Sequence, residues 1–587
     1  MSPKKLLCAV FCCVFTFILQ TASAQDKTIT GKVTDSKDGS PVVGATVQPK
    51  GTRTGTSTRA DGSFSLAVGP NATTLVISSV GYDKQEIPIA GKSVFEISFV
   101  PTAGANLNEV VVTGYGTARK KDLTGAVGSV KSKDFNKGIQ AGPQQLIQGK
   151  IAGVQVIGDN GAPGGGVSLR IRGNSSLRAG NSPLIVVDGV PLSNNNSRPD
   201  VGFTDIGGGS PSGNPLNFIN PSDIASIDVL KDASAAAIYG SRGSNGVIQI
   251  TTKRGQSGAP KVEVNASVGV SSILKKLEVL DGNQYRQALG DFGFPTTVST
   301  GAAPTANFGG NINALDAILR KGRTQNYGVA LSGGNDNGRY RASFSYLDQQ
   351  GIIQKTGFKK LTAGLTANFK MLESKKLGLD ITVLTSQTTE QIAPISNSAG
   401  FKGSLIGQAL QWNPTRPLVN GGVLDIQYGS DAINPLAYSR AYFDMAKVTS
   451  VLANVAPSYK ITNELEYKLQ FSLNYSVGIR KNYTTAFINI NDIAVDGTGK
   501  GGEANVAQNE LTTKQITNTL SYVKALTPKL SLNAVVGHEY LVTNFNGNSQ
   551  YGRRFIPTDK PYYYFMGSSE PSTRRVNGFA DPTKERL

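Results

Sequence analysis

From Lys261 onward, apolar and polar side chains alternate over stretches of about 10 residues. Val262, Val264, Ala266, Val268 and Val270 alternate with Glu263, Asn265, Ser267 and Gly269. The same period recurs at Tyr340, Ala342, Phe344 and Tyr346, at Leu361, Ala363, Leu365, Ala367 and Phe369, and from Leu465 to Tyr475. Successive side chains of a strand point to opposite faces, so each stretch has one apolar and one polar face. A soluble sandwich shows this in single segments; its repetition argues for a wall between hydrocarbon and water. The connections carry a second signal. Asn335–Gly338, Met371–Lys376, Ile461–Glu464 and Ala525–Lys529 read as tight turns, and long linkers lie near 271–325, 349–360, 389–446 and 478–512. Long and short connections alternate, as they do at the two ends of a membrane barrel. The pattern predicts about nine wall strands, the last ending near Leu541, and the polar tail 581–587 does not read as a closing strand. The chain is therefore expected to stop partway round a barrel, as a fragment. His538 falls among polar neighbours and is expected to face the lumen.

Upstream of the wall the pattern changes. Thr28–Val33, Val42–Val47, Gly51–Gly55, Asp61–Leu66, Leu75–Ser79, Gln85–Ile89 and Val94–Phe99 are short stretches broken by turn residues, the spacing of a small β-sandwich. Between Ala103 and Gly255, short strands mix with short helices in an α+β arrangement. Leu184 to Val187 runs into a tight turn at Asp188-Gly189, and a helix is expected after Asp232, ending at Gly240.

Composition excludes much chemistry. Lys+Arg outnumber Asp+Glu by 59 to 41, a net charge of +18, but the cations are spread along the chain and no nucleic-acid-binding motif accompanies them. The three cysteines are Cys8, Cys12 and Cys13, and His538 is the single histidine. Residues 1–24 read as an export signal: Lys4 and Lys5, an apolar run from Leu6 to Leu19, and Ala22-Ser23-Ala24 before cleavage at Gln25. Once it is removed no thiol remains, which excludes cysteine nucleophiles, disulfides and thiolate metal sites. A lone histidine likewise excludes paired-histidine metal motifs. No catalytic, cofactor-binding or metal residue is assigned, and no enzymatic activity is expected. Gly161–Gly166 lacks the Gly-Lys-Ser/Thr ending of a phosphate loop.

Two segments carry a family resemblance. Gly31-Lys32-Val33-Thr34-Asp35, Pro41-Val42-Val43-Gly44-Ala45, Asp61-Gly62-Ser63-Phe64 and Gly81-Tyr82 resemble the carboxypeptidase-regulatory-like domain, a prealbumin-like sandwich that is non-catalytic in its family. Leu107 to Gly116, Lys120 to Ala126, Gln148 to Val154, Arg170-Ile171-Arg172-Gly173, Pro183 to Pro191 and Lys231 to Gly243 resemble, in order, the plug domain of the SusC/RagA family of TonB-linked outer-membrane transporters. The expected fold class is thus mainly β. A sandwich over 27–101 leads to a TonB-box-like segment over 107–116 and a plug over 117–255. The first strands of an incomplete transmembrane antiparallel β-barrel follow over 258–587, and family barrels resemble the 22-stranded plugged class.

The resemblance implies a transporter in the outer membrane. It implies a periplasmic TonB partner, a SusD-like surface lipoprotein, contact with outer-membrane lipid, and a nutrient ligand, an oligosaccharide or peptide; no cofactor and no nucleic acid are expected. Glu109, Val110, Val111, Val112 and Thr113 lie where these transporters carry the TonB box. A β-branched segment there could add as a strand to a partner's sheet; alternatively it is the first strand of the plug. Arg170, Arg172 and Asp188 are candidates for gating ion pairs between plug and barrel, against the default of solvated charges. Trp412, Tyr562, Tyr563 and Tyr564 are candidates for substrate contact, against an interfacial aromatic belt. The rival reading of the whole chain is a secreted adhesive or structural β-protein without transport activity.

Overall fold

The computed structural model describes residues 27–99 apart from 37–38, 53, 70–71, 80–81 and 83; residues 110–113 and 116–119; and residues 127–586 apart from 175, 178–179, 201–212, 299–304, 395–403, 429–431, 489–499, 528–529 and 557–559. The expected leader and Glu109 lie outside them. The chain forms two compact units, Met1–Val110 with Arg119–Lys121, and Val111–Ala118 with Asp122–Leu587.

In the first unit, β1 (Lys27–Asp35), β2 (Thr46–Pro49), β3 (Thr56–Ser57), β4 (Ser63–Val68), β5 (Thr74–Ser78), β6 (Gln85–Pro88) and β7 (Val94–Phe99) make two sheets, ordered β4-β1-β7 and β3-β2-β5-β6. Alternation buries one face of each: Phe64 and Leu66 of β4 meet Ile29, Val33, Leu75 and Ile97 in a shared core. Of the stretch 51–55, expected as a strand, the described residues 51, 52, 54 and 55 belong to no strand; its glycines lack the side chains that pack a pleated surface. Gly31, in the middle of β1, is required by space. A Cβ there would stand 2.4 Å from the Phe95 carbonyl oxygen and 2.7 Å from the Phe64 ring.

In the second unit, β10 (Val127–Lys131), β13 (Leu184–Val187), β14 (Val190–Leu192), β15 (Ile224–Leu230) and β16 (Val247–Thr252) form a five-stranded sheet ordered β10-β15-β16-β13-β14. A hairpin of β11 (Val154–Gly158) and β12 (Val167–Ile171) stands beside it in sequence. The helix expected after Asp232 is one α-turn, Ala233–Ala236, followed by a 3-10 stretch, Ala237–Gly243, broken where Gly240 takes φ 58 and ψ −145. β8 (Val110–Thr113) and β9 (Gly116–Arg119) pair with each other in a separate two-stranded sheet at the division between the units.

The wall is a ten-stranded antiparallel sheet in chain order. It comprises β17 (Gly258–Ser271), β18 (Gly322–Gly334), β19 (Gly338–Gln350), β20 (Gly357–Met371) and β21 (Leu377–Gln391). It continues, after four two-residue strands β22–β25 between Val419 and Ile433, with β26 (Tyr442–Lys460), β27 (Leu465–Thr484), β28 (Gly501–Thr527), β29 (Leu530–Phe555) and β30 (Arg575–Arg586). Three of the expected turns fall at strand junctions, 335–337, 372–376 and 461–464, and the fourth falls where β28 gives way to β29; of the expected long linkers, 349–360 shrinks to the connection 351–356. Two expectations are corrected. The polar tail pairs with β29 as a tenth strand, Tyr551 opposite Arg575 through Tyr540 opposite Arg586, with Pro582 opposite Asn544. Strands also run longer than about 10 residues: β28 has 27 and β29 has 26, and β27 and β28 together absorb much of the stretch 478–512 that reads as linker.

The two faces separate as expected. Val264, Val329, Phe344, Leu365 and Phe471 are exposed on the outer face, while Arg341, Ser345, Thr362 and Thr366 are buried on the inner one. His538 departs from its expected place. Glu539 is buried inward, so His538, next to it in β29, is exposed on the outer face. Helices Gly282–Asp291, Ala314–Ile318, Leu405–Gln411 and Pro435–Ala441 occupy the long connections. The last three share a core of Leu315, Ile318, Leu405, Ala409, Ala437 and Tyr438. No helix among the described residues is long and apolar enough to cross a membrane.

Replacing Gly31 with alanine forces β1 away from β7 and is expected to cost the sandwich about 1–3 kcal/mol. Amide hydrogen exchange in increasing urea checks this: protection in β1 and β7 is lost at lower denaturant than in the unsubstituted chain, while the wall strands are unchanged.

Candidate functional site

The plug sheet is hydrophobic through its centre, with Ile227, Val229, Ile248 and Ile250 buried, and its core reaches the wall at one place. Leu384 of β21 and Leu452 of β26 are cross-strand partners on the inner face, and both belong to the plug's apolar cluster. Around that contact the interface is polar and charged.

Four groupings of charge carry it. Arg198 donates through one guanidinium nitrogen to both carboxylate oxygens of Glu390 at 2.9 and 2.8 Å, and both side chains are buried. Close by in the wall, Arg480 is 1% exposed and makes a two-point pair with Asp444, Nε to Oδ1 at 2.9 Å and a terminal nitrogen to Oδ2 at 2.6 Å. Tyr442 donates to the same carboxylate at 2.9 Å, and Arg480 reaches the Pro199 carbonyl of the plug at 3.4 Å. Asp223 of the plug accepts from Ser343 at 2.6 Å and from Arg341 at 3.4 Å, and Arg341 also meets Glu263. Arg242, in the 3-10 stretch after β15, pairs with Glu539 of β29 at 2.5 Å. Lys360 completes the ring differently: its ammonium donates to the carbonyls of Ala141, at 2.5 Å, and Ile219, at 3.2 Å. Charges this deeply buried are held by partners and hydrogen bonds, since an unpaired one costs several kcal/mol to desolvate (order of magnitude).

The plug loop bearing Arg198 is pressed close to the wall. Ser197 shares a hydrogen bond with Ser476 at 2.6 Å, and a Cβ on Gly478 would lie 2.0 Å from the Ser197 carbonyl oxygen. Gly478 is therefore a contact glycine, admitting the backbone of another segment.

The expected gating residues are placed as follows. Arg170, in β12 opposite Gln155, is half-buried. Arg172, at φ 59, pairs with Asp232 at 2.5 Å, an ion pair within the plug. Asp188 and Gly189 form the two-residue turn between β13 and β14, with φ of 47 and 83, the positive values that a two-residue hairpin of this kind demands. The Asp188 carboxylate accepts from the Thr252 amide at 3.0 Å and its hydroxyl at 2.6 Å. Burial pushes that carboxyl up, and the two bonds from Thr252 oppose the shift. Among the described residues, the plug-to-wall ion pairs thus fall on Arg198, Asp223 and Arg242, with a longer one, 3.9 Å, between Arg254 and Asp380. Their wall partners sit at the polar phase of alternating strands, which is a readable signal; which plug residue each meets is not.

The aromatic candidates separate into two places. Trp412 is 4% exposed inside the loop layer, its indole nitrogen donating to the Arg416 carbonyl at 2.9 Å and the Arg416 guanidinium lying 5.7 Å from its ring. Tyr562 stacks on Phe555 with centroids 4.8 Å apart. Tyr563 packs on Phe443 and Tyr483, and Lys481 lies 5.3 and 5.5 Å from the Tyr563 and Tyr564 rings. Phe443 and Tyr483 neighbour the inward Asp444 and Asn482, so this cluster is on the outer face, at the end of the long connections. Of the expected TonB-box segment, Val110–Thr113 is β8, outside the plug's five-stranded sheet.

Comparison with known proteins bears on this geometry. The TonB-dependent receptor plug domain family model matches residues 119–247, and the CarboxypepD_reg-like domain family model matches residues 29–112. TonB-dependent receptor SusC of Bacteroides thetaiotaomicron is 37% identical over 454 residues, covering 76% of this chain and 40% of that protein. TonB-dependent receptor P3 of Formosa agariphila is 32% identical over 570 residues, covering 95% of this chain and 52% of that one. The chain spans about half the length of the curated relatives it matches. Among solved structures, the RagAB peptide importer in its closed-closed state superimposes with a TM-score of 0.63 at 22% identity, covering 79% of this chain and 52% of that chain, a likeness of fold.

If Arg198 and Glu390 hold the plug as a unit, Arg198→Ala and Glu390→Ala each leave a buried charge behind. Each is expected to cost about 3–5 kcal/mol, and the double substitution less than their sum. Urea unfolding of the four proteins in detergent, followed by protease cutting of the plug, measures the coupling.

Proposed function

The chain belongs to the SusC/RagA family of TonB-linked outer-membrane transporters, and from that premise we propose that it imports a nutrient too large for passive pores, an oligosaccharide or a peptide. The plug closes the lumen, and a TonB partner in the periplasm pulls on the segment near Glu109–Thr113 to unseat it. The observation that best supports this reading is the plug's seat: a separate domain held on the polar face of a two-faced wall by ion pairs that water can replace. A β-branched strand outside the plug's own sheet suits a coupling role, because its backbone can pair with a partner's sheet edge. A SusD-like surface lipoprotein acts as the lid over the long connections. No covalent bond is made or broken. Asp188, in its strained turn facing the wall, is the plug's responsive point on this reading. The Tyr563–Tyr564 cluster serves as an interfacial belt, amphipathic rings beside a lysine at the edge of the apolar band.

Deleting residues 109–113 is expected to leave surface binding of substrate intact and to reduce uptake to that of cells lacking TonB. Uptake equal to that of the undeleted protein would overturn the coupling assignment.

A further inference from the structure

Resting on the transporter reading above, which turns the long connections outward, we propose that the lipid-facing side of the wall holds a phosphorylated glycolipid, with Lys514 and Lys584 on its phosphate and the amides beyond them on its sugars.

The two ends of the outer face differ in charge. Thr513 and Gln515 are buried inward, so the exposed Lys514 between them points out. Lys514 stands opposite Val542, and Val542 opposite Lys584. Directly opposed residues share a face, so Lys584 points out as well. By the same rule Arg323, Lys359, Lys447 and Lys481 project outward toward the long connections, against the carboxylates of Asp348 and Glu510. Toward the short turns, Lys524 is the one outward charge on the wall strands among the described residues.

The two lysines stand where head groups begin. From Leu532 to Val542 the outward positions of β29 are apolar or aromatic apart from His538. At about 3.3 Å per residue and a tilt of about 45°, that run climbs about 25 Å, the height of a barrel's apolar band. Lys514 and Lys584 share the row of Val542, at the border of the band. A lysine there keeps its stem in hydrocarbon and lifts its ammonium to the head groups. Neither makes an ion pair among the described residues. They stand two strands apart, about 10 Å, so two flexible stems can close on one phosphate between them. Lys359 and Lys447 flank Thr389 with the same spacing, but Asp348 meets Lys359 at 3.7 Å and divides its charge.

Beyond the lysine row the outward side chains change in kind. Thr512 faces Asn544, then Glu510 faces Asn546, then Gln508 faces Asn548. Each amide both donates and accepts, as ring hydroxyls do, and Glu510 accepts from hydroxyls while standing two rows away from the phosphate position. A simple phospholipid ends at the lysine row and leaves these rows to water. A lipid whose phosphate is borne on sugars reaches both, and that extent decides the occupant. Below the lysines, the row of Phe471, Ile516 and Tyr540 offers an apolar bed for its acyl chains.

The test titrates the full-length protein, stripped of lipid in detergent, with a fluorescent glycolipid bearing phosphates on a glucosamine disaccharide. Its dephosphorylated form and phosphatidylglycerol are the competitors. Lys514→Gln and Lys584→Gln are each expected to weaken binding about fivefold, and together about 25-fold. Lys514→Arg is expected to retain it, and Lys524→Gln, at the other end of the wall, to leave it unchanged. Faster gel migration before heating than after it identifies the variants that have folded. Unchanged binding in the double variant, or equal loss in Lys524→Gln, overturns the site. A dephosphorylated form that competes as well as its parent overturns the phosphate contact, and phosphatidylglycerol competing as well overturns the glycolipid assignment. TonB-dependent nutrient uptake is read separately and is expected to survive the double substitution. Its absence from the unsubstituted protein overturns the transporter reading; uptake present with no glycolipid binding overturns the site alone.

Discussion

Hydrocarbon offers no hydrogen-bond partners, so each peptide group within it must be satisfied by another strand. Meeting that requirement with a sheet leaves the side chains as the only variable, and period-two alternation then divides them between two solvents. In this chain the outer face carries Val264, Phe344 and Leu365, and the inner face carries Arg341, Thr362 and Ser345. The second face creates the need for a plug as much as the room for one. A wall that is polar inside gains little from apolar packing there, and it can hold a domain by charge and hydrogen bond.

That choice of seat has mechanical content. Taken without the plug, Glu390, Asp444 and Arg480 of the wall hold one more negative charge than positive, and Arg198 supplies the balance. Such contacts are specific in register, because a misplaced plug leaves a carboxylate alone. They are also exchangeable, because water can take the place of either partner, with a net difference far smaller than the gross attraction. Strength and reversibility are thus reconciled in the same residues.

Much of the wall is legible in the sequence because alternation is a local property: Val262 to Val270 can be assigned to faces without knowing what lies beside them. Strand ends are harder. The part of β28 from Glu503 to Asn509 is polar at Glu503, Asn505, Gln508 and Asn509 with only small or medium apolar residues between, and it resembles a loop until its neighbours in β27 and β29 supply its ladder. The strand β30 is hidden for a similar reason, since it ends in a polar run from Asp581 to Arg586 that includes Pro582. The tight hairpin at Asp188-Gly189 is legible from its residues. The pairing of Arg198 with Glu390 is not, because 192 residues separate the partners and nothing in either neighbourhood names the other. Trp412 shows the converse limit, since an aromatic in a long connection reads as a ligand contact until the connections are seen to fold on one another.

The paired leucines of β21 and β26 give the seat a direction. While the plug is home, Leu384 and Leu452 lie in its oily interior; draw it off and both face water, at about 1.5–3 kcal/mol apiece. Separating the plug from this part of the wall therefore works uphill against solvent, whereas reseating it runs with solvent.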